Sequence, residues 1–317
     1  MPNDYKTATV FGGTGFLGTQ IVRELAARDY IVKVATRVPE RAYFLKPCGA
    51  VGQVVPFACN YSDDESLAAA VKGSDVVVNC IGILFESAKQ SFEALHEKLP
   101  ARIAKAVSAA GVETFVHISA LGVEESTSKY AKSKLAGEKA LLAAFPNASI
   151  LRPSVIFGED DNFFNMFASM AKVLPALPLI GGGQTKFQPV FVGDVADAVM
   201  ACLESDAAKG QIYALGGPEV LSFEEIYKKL FEYTGQERLL LPLPFGAAKV
   251  QAFFMGILPN PPLTRDQVES LKYDNVVKSG EKTLTDLGVS ATNLDLILPQ
   301  YLMRYRRGGR FGDQMSA

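Results

Sequence analysis

The chain is poor in the residues that build metal centres. It has two histidines, His96 and His117, and four cysteines, Cys48, Cys59, Cys80 and Cys202, scattered with no paired spacing. A structural zinc site is therefore not expected, and no metal is assigned. The formal net charge is −2 over 317 residues, so there is no basic excess to recruit nucleic acid. No apolar run approaches the roughly 20 residues needed to cross a bilayer. The first residues, "MPNDYKT", are polar and lead straight into an apolar run. Neither a secretory signal nor a mitochondrial presequence is read there, and the expectation is a cytoplasmic protein with reduced thiols.

What is present is an ordinary globular composition, 48% hydrophobic and 21% charged, long enough to bury a sizeable core. Strand and helix signals alternate through the first half, the pattern of a parallel sheet covered on both faces. Strands are expected in "TATVFG", "YIVKVATR", "VGQVVPFA", "DVVVNCIG", "ETFVHISA" and "ASILRPSVIFG". Between them lie helical stretches at 16–28, in "SDDESLAAAVKG" with Ser62 as its N-cap, in "ARIAKAVSAAG" ending at Gly111, and in "SKYAKSKLAGEKALLAAF". After Gly158 proline and glycine cluster and the helices shorten. The fold class expected is α/β, a Rossmann-type doubly wound parallel sheet over residues 1–158. A smaller, discontinuous C-terminal lobe, 159–317, partly returns to the sheet.

Gly12, Gly15 and Gly18 form G-x-x-G-x-x-G between the first strand and the first helix. Glycine there permits a tight turn and close backbone approach, and free N–H groups at a helix start attract a pyrophosphate. Dinucleotide binding follows. A NAD site usually carries an acid at the end of the second strand, on the ribose 2′-hydroxyl. Here "VATRVPE" puts Arg37 in that place, and a guanidinium suits a 2′-phosphate. NADP(H) is favoured over NAD(H).

Tyr130 and Lys134 in "YAKSK" stand at i and i+4, on one helical face. A tyrosine with a pKa near 10 is a poor proton donor-acceptor at neutral pH, and a neighbouring ammonium helps it ionise. Ser119, at the end of the fifth strand, completes a candidate Ser-Tyr-Lys catalytic set, with Ser126 and Thr127 as alternatives for the hydroxyl.

Together these residues resemble the short-chain dehydrogenase/reductase superfamily in its extended, atypical branch. The resemblance implies cofactor contacts from the whole "GGTGFLG" loop, with Thr14, Phe16 and Leu17 beside the glycines. It adds Asn60 and Tyr61 after the third strand, Cys80, Ile81 and Gly82 after the fourth, and Ser119, Tyr130 and Lys134. The loop "RPSVIFG" implicates Pro153, Ser154 and Val155 beside the nicotinamide. "EDDNFFNMFASM", "QPVFVGDVADAV" and "LTRDQVESLKYDNVV" look like the family of short-chain-dehydrogenase-like accessory subunits of respiratory complex I. That likeness implies a tightly held NADPH that is not turned over, complex I subunits as partners, and a place near the membrane. The location is then the inner face of the cytoplasmic membrane, or the matrix side in mitochondria.

The apolar stretch 244–262, "PFGAAKVQAFFMGILPNPP", reads either as a buried helix or as a surface facing a partner or membrane. Arg304, Arg306, Arg307 and Arg310 form a basic tail, either solvated or facing anionic lipid or an acidic partner. Two functions remain open: an NADP(H)-binding subunit that supports a redox assembly, or a free NADP-dependent oxidoreductase or epimerase using Tyr130 and Lys134 on a small molecule.

Overall fold

A computed structural model describes residues 5–256, 258 and 261–306. Arg307 and Arg310 of the basic tail, and Ile257, Pro259 and Asn260 of the apolar stretch, lie outside the described residues. Six strands alternate with helices: β1 (Thr7–Phe11), α1 (Phe16–Ala27), β2 (Ile31–Thr36), β3 (Val54–Ala58), α2 (Asp64–Val71), β4 (Val76–Asn79), α3 (Leu99–Ala109), β5 (Thr114–Ile118), α4 (Lys129–Ala144) and β6 (Ser149–Pro153). A seventh strand, Ile212–Leu215, returns from the second half and pairs parallel with β6. The sheet order is β3-β2-β1-β4-β5-β6 followed by that strand, all parallel. Chain order reverses between β1 and β4, and there the carboxyl ends of the strands open a crevice.

Burial on both faces explains the strand sequences. All four residues of β4, Val-Val-Val-Asn, are buried, as a strand covered above and below requires. One face packs on α1 and α6 (Val192–Glu204) through Ile21, Val22, Leu25, Val195 and Val199. The other packs on α2, α3 and α4 through Leu67, Ile103, Val107 and Leu141. α2 begins one residue later than its sequence suggested. The cap is Asp63, not Ser62, and its carboxylate accepts the Ser66 N–H at 3.0 Å.

The second half holds a separate core of aromatic residues. α5 (Phe164–Val173) and α7 (Phe223–Thr234) meet through Phe167, Phe223 and Tyr227, with α10 (Leu294–Leu302) against them. Two strands, Ala176–Ile180 and Leu239–Leu243, pair parallel with each other. They lead to α8 (Phe245–Met255) and the short α9 (Arg265–Ser270), which meet over Ala248, Ala252 and Val268. α8 is not a buried helix. Only Ala248 and Ala252 are buried, while Val250, Phe253 and Phe254 are 59%, 52% and 64% exposed.

Candidate functional site

The residues singled out by sequence sit at the carboxyl ends of β1 to β6 or on the N-terminal half of α4. Gly12 follows β1 with φ +80°, in the left-handed region that favours glycine, and a Cβ there would stand 3.0 Å from the Cys80 carbonyl carbon and the Ile81 nitrogen. A Cβ on Gly18 would fall 2.1 Å from the Gly12 carbonyl oxygen, so glycine lets α1 pack against its own loop. Gly15 differs. It is exposed, and a Cβ there would meet only the Gly12 oxygen, at 3.4 Å. Gly15 is the N-cap of α1 and no side chain caps the helix, so the first turn points bare N–H groups at the crevice. Thr14 is half-buried in the turn, Leu17 is buried, and the Phe16 ring lies under Gly158, 3.1 Å from where its Cβ would be.

Arg37 follows β2, and its guanidinium lies 5.5 Å from the centre of the Tyr61 ring. A cavity of about 410 Å3 opens beside it, lined by Arg37, Ala58, Cys59, Asn60 and Ser66. Asn60 is fixed by a local turn, its Oδ1 accepting the Ser62 N–H at 3.0 Å. The Tyr61 hydroxyl donates to the Ala35 carbonyl at 2.8 Å, and burial raises its pKa. After β4, Cys80 Sγ donates to the Phe11 carbonyl, and burial pushes this thiol up to about 12. Ile81 N–H is held by Asn79 Oδ1 at 3.1 Å.

Lys134 is buried, and its ammonium donates to the Ile118 carbonyl at 3.0 Å. A Cβ on Gly82 would lie 3.5 Å from the same Nζ. Desolvation lowers the lysine to about 8 against the opposing pull of Glu138 and Cys80. Tyr130 behaves contrary to expectation. Burial raises its phenol to about 12, and the Lys134 ammonium, tied to Ile118, does not bring it down. The Tyr130 ring stands edge-on to Phe92 and His96, at 5.8 and 5.3 Å.

Ser119 Oγ is buried and has no hydrogen-bond partner among the described residues. Ser126 and Thr127 are engaged elsewhere: Ser126 with Ser128, and Thr127 with Glu269 and Tyr273. Beyond β6, Pro153 receives the Leu121 N–H on its carbonyl at 2.9 Å. Ser154 Oγ donates to Asn275 Oδ1 at 2.6 Å, and the Val155 carbonyl accepts from Val190 N–H at 2.9 Å. These residues follow the carboxyl ends of neighbouring parallel strands, Arg37 after β2, Ser119 after β5 and Ser154 after β6, with Tyr130 and Lys134 on α4.

His96 was missed by sequence reasoning. It lies in a π-turn, Glu93–Lys98, that enters α3. Its Nε2 accepts the Ile83 N–H at 2.9 Å, which leaves the proton on Nδ1 to donate to Ser133 Oγ at 3.0 Å. Burial, with help from Lys134, lowers its pKa to about 3, so the ring is neutral. A Cβ on Gly137 would fall 1.8 Å from the His96 carbonyl, which explains how α4 and the π-turn approach so closely. No periodicity in the sequence signals this contact. His117 bonds Asn79 through Nδ1 at 3.1 Å, while its Nε2 is buried without a partner among the described residues.

Comparison with known proteins agrees with this fold. The NAD dependent epimerase/dehydratase family matches residues 8–216. The chain is 36% identical to NADH dehydrogenase (ubiquinone) 1 alpha subcomplex subunit 9, mitochondrial, of Arabidopsis thaliana, over 98% of this chain and 80% of the relative. The mouse protein of the same name is also 36% identical, over 94% of this chain and 80% of the relative. Among solved structures, the triphenylmethane reductase of a Citrobacter species, complexed with NADP(H), superimposes with a TM-score of 0.74 at 21% identity, over 93% of this chain and 99% of that one.

Proposed function

This chain belongs to the NAD-dependent epimerase/dehydratase family, and from that premise we propose that it is an NADP(H)-binding subunit that docks on a respiratory NADH:ubiquinone oxidoreductase. The observation that carries the reading is α8. A helix that leaves Val250, Phe253 and Phe254 in water calls for a covering partner. Burying each half-exposed ring would contribute on the order of 1–2 kcal/mol. The relatives named as subunits of that enzyme match over 98% and 94% of the chain. Docking would place the protein at the membrane-adjacent arm of the complex, although no described helix is long and apolar enough to cross a bilayer.

The crevice suits a dinucleotide on its own chemistry. Bare N–H groups at the start of α1 and the open face of Gly15 would cradle the pyrophosphate. Arg37 would pair with a 2′-phosphate, and Asn60 and Tyr61 would flank the adenosine. Lys134 keeps further protons beyond the one donated to Ile118 and would hold the nicotinamide ribose. Cys80, Ile81 and Gly82 would back the ribose, and Pro153, Ser154 and Val155 the nicotinamide. A bound nicotinamide supplies hydride chemistry. What the chain itself supplies is restraint. Burial raises the Tyr130 phenol to about 12, so it stays protonated at neutral pH.

One observation favours the second reading, a small-molecule reductase: the buried, unpartnered Ser119 Oγ could receive a substrate oxygen. Two substitutions separate the readings. Under the subunit reading Tyr130→Phe keeps NADPH affinity and assembly, whereas Lys134→Ala weakens NADPH binding. Metabolite-dependent turnover of NADPH that disappears in Tyr130→Phe would establish the enzyme instead.

A further inference from the structure

The Arg37 guanidinium already has an occupant on its outer edge. With the Gln90 amide oriented so that both groups are satisfied, its oxygen accepts from Arg37 Nη2 at 2.9 Å and from Nη1 at 3.1 Å. Gln90 does not come from the neighbourhood of β2. It is carried by the segment between β4 and the π-turn, which folds back on itself as a short turn. Ser87 and Gln90 exchange both backbone hydrogen bonds, at 2.9 and 3.2 Å, and Glu86 Oε1 accepts the Phe92 N–H at 2.9 Å. The segment reaches from the end of β4 to the end of β2, and so passes the carboxyl end of β1 and its glycine turn.

Arginine holds a phosphate through two parallel N–H···O bonds, and here the two N–H groups of that fork meet on one amide oxygen. A neutral amide oxygen is the weaker acceptor for that fork, and a phosphate monoester, carrying charge, is the stronger. On the reading that Arg37 meets a nucleotide 2′-phosphate, we propose that Gln90 is a strap that competes with that phosphate for Arg37 and so tempers the preference for it. Its amide occupies the Arg37 fork over Tyr61 and yields only to a nucleotide that carries a phosphate monoester at that point. A nucleotide with a bare ribose hydroxyl offers nothing to displace it, and the strap stays on Arg37.

The full chain, titrated with NADPH and with NADH by calorimetry, tests this. Gln90→Glu places a carboxylate on Arg37 and a like charge before the phosphate. NADPH affinity should fall about tenfold, with NADH within about twofold of the unaltered protein. Gln90→Ala releases the fork, and NADPH should bind more tightly while NADH is unmoved. Trypsin supplies a readout independent of affinity, because Lys89 rides on the strap: NADPH should speed cleavage after Lys89 and NADH should not. If the unaltered chain prefers NADPH but is indifferent to Gln90→Glu, the strap is refuted and the Arg37 reading survives. If the unaltered chain binds both nucleotides equally, both ideas fall.

Discussion

The Asp266 carboxylate accepts the backbone N–H of Tyr130 at 2.9 Å, and its other oxygen accepts that of Lys129 at 2.6 Å. A side chain from α9 thus caps the helix that carries Tyr130 and Lys134, beside the helix's own cap, Ser128, which accepts the Ala131 N–H at 3.1 Å. α9 also packs on α8, and Glu269 ties Lys249 of α8 to Thr127 before α4. The exposed apolar face of α8 and the start of α4 are therefore joined through one short helix. Asp266→Ala should cost about 1 kcal/mol of stability, the usual worth of a capping group, and should weaken NADPH binding as the start of α4 frays. Thermal melts with and without NADPH check this; an unchanged melt together with unchanged affinity would contradict it.

The glycine loop makes a contrast that can be measured. Gly18→Ala drives a methyl group into the Gly12 carbonyl and should lower stability as well as binding. Gly15→Ala meets only ordinary contact at φ −81°, so the fold should melt at its usual temperature. Its methyl group would still occupy the face offered to the pyrophosphate, and NADPH affinity should drop. Equal behaviour of the two variants in both assays would remove the distinction between a packing glycine and a cradle glycine.

Two buried neutral histidines set an acid limit. His96 is lowered to about 3, and burial holds His117 well below its ordinary 6.5. Because their folded pKa values are depressed, the unfolded chain takes up protons first as pH falls. The stability linked to them is complete above pH 6.5 and declines below it, by up to about 1.4 kcal/mol per pH unit for each ring. Denaturant melts between pH 7 and 4 should show this slope, and His96→Gln should reduce it by about one proton. A slope that persists unaltered in that variant would assign the acid lability to other groups.

Much of this was legible in the sequence where the determinants are local. The glycine turn, the run Val76–Val78 and the Tyr130–Lys134 spacing each declare themselves within a few residues. What escaped notice depends on distant partners. The seventh strand, Ile212–Leu215, is four residues long and acquires its identity only by pairing with β6. Pro178 and Pro242 fall in the proline-rich stretches where the sequence signals no strand, yet 176–180 and 239–243 pair, and each strand has just one neighbour, where proline is tolerated. The sequence points to Ser62 as the N-cap of α2, but Asp63 and Asp64 can cap as well, and geometry chooses Asp63. His96, Gln90 and Asp266 gain their roles from contacts far along the chain, which spacing cannot display. Arg37 and Lys134 are legible in the sequence for the opposite reason: their chemistry is unusual for where they stand.

On the proposed reading the nucleotide stabilises a docking subunit. NADPH at 100 times its dissociation constant would add about 2.7 kcal/mol by mass action, without any proton being moved by Tyr130. The most direct measurement is native purification of the chain and of a Phe253→Ser, Phe254→Ser variant, with NADPH content and co-purifying respiratory subunits both quantified. The account predicts that the unaltered chain carries NADPH and brings NADH:ubiquinone oxidoreductase subunits with it. The double variant should keep its NADPH and lose those partners. A chain that purifies alone in both forms, and oxidises its NADPH when a small-molecule substrate is supplied, would contradict it.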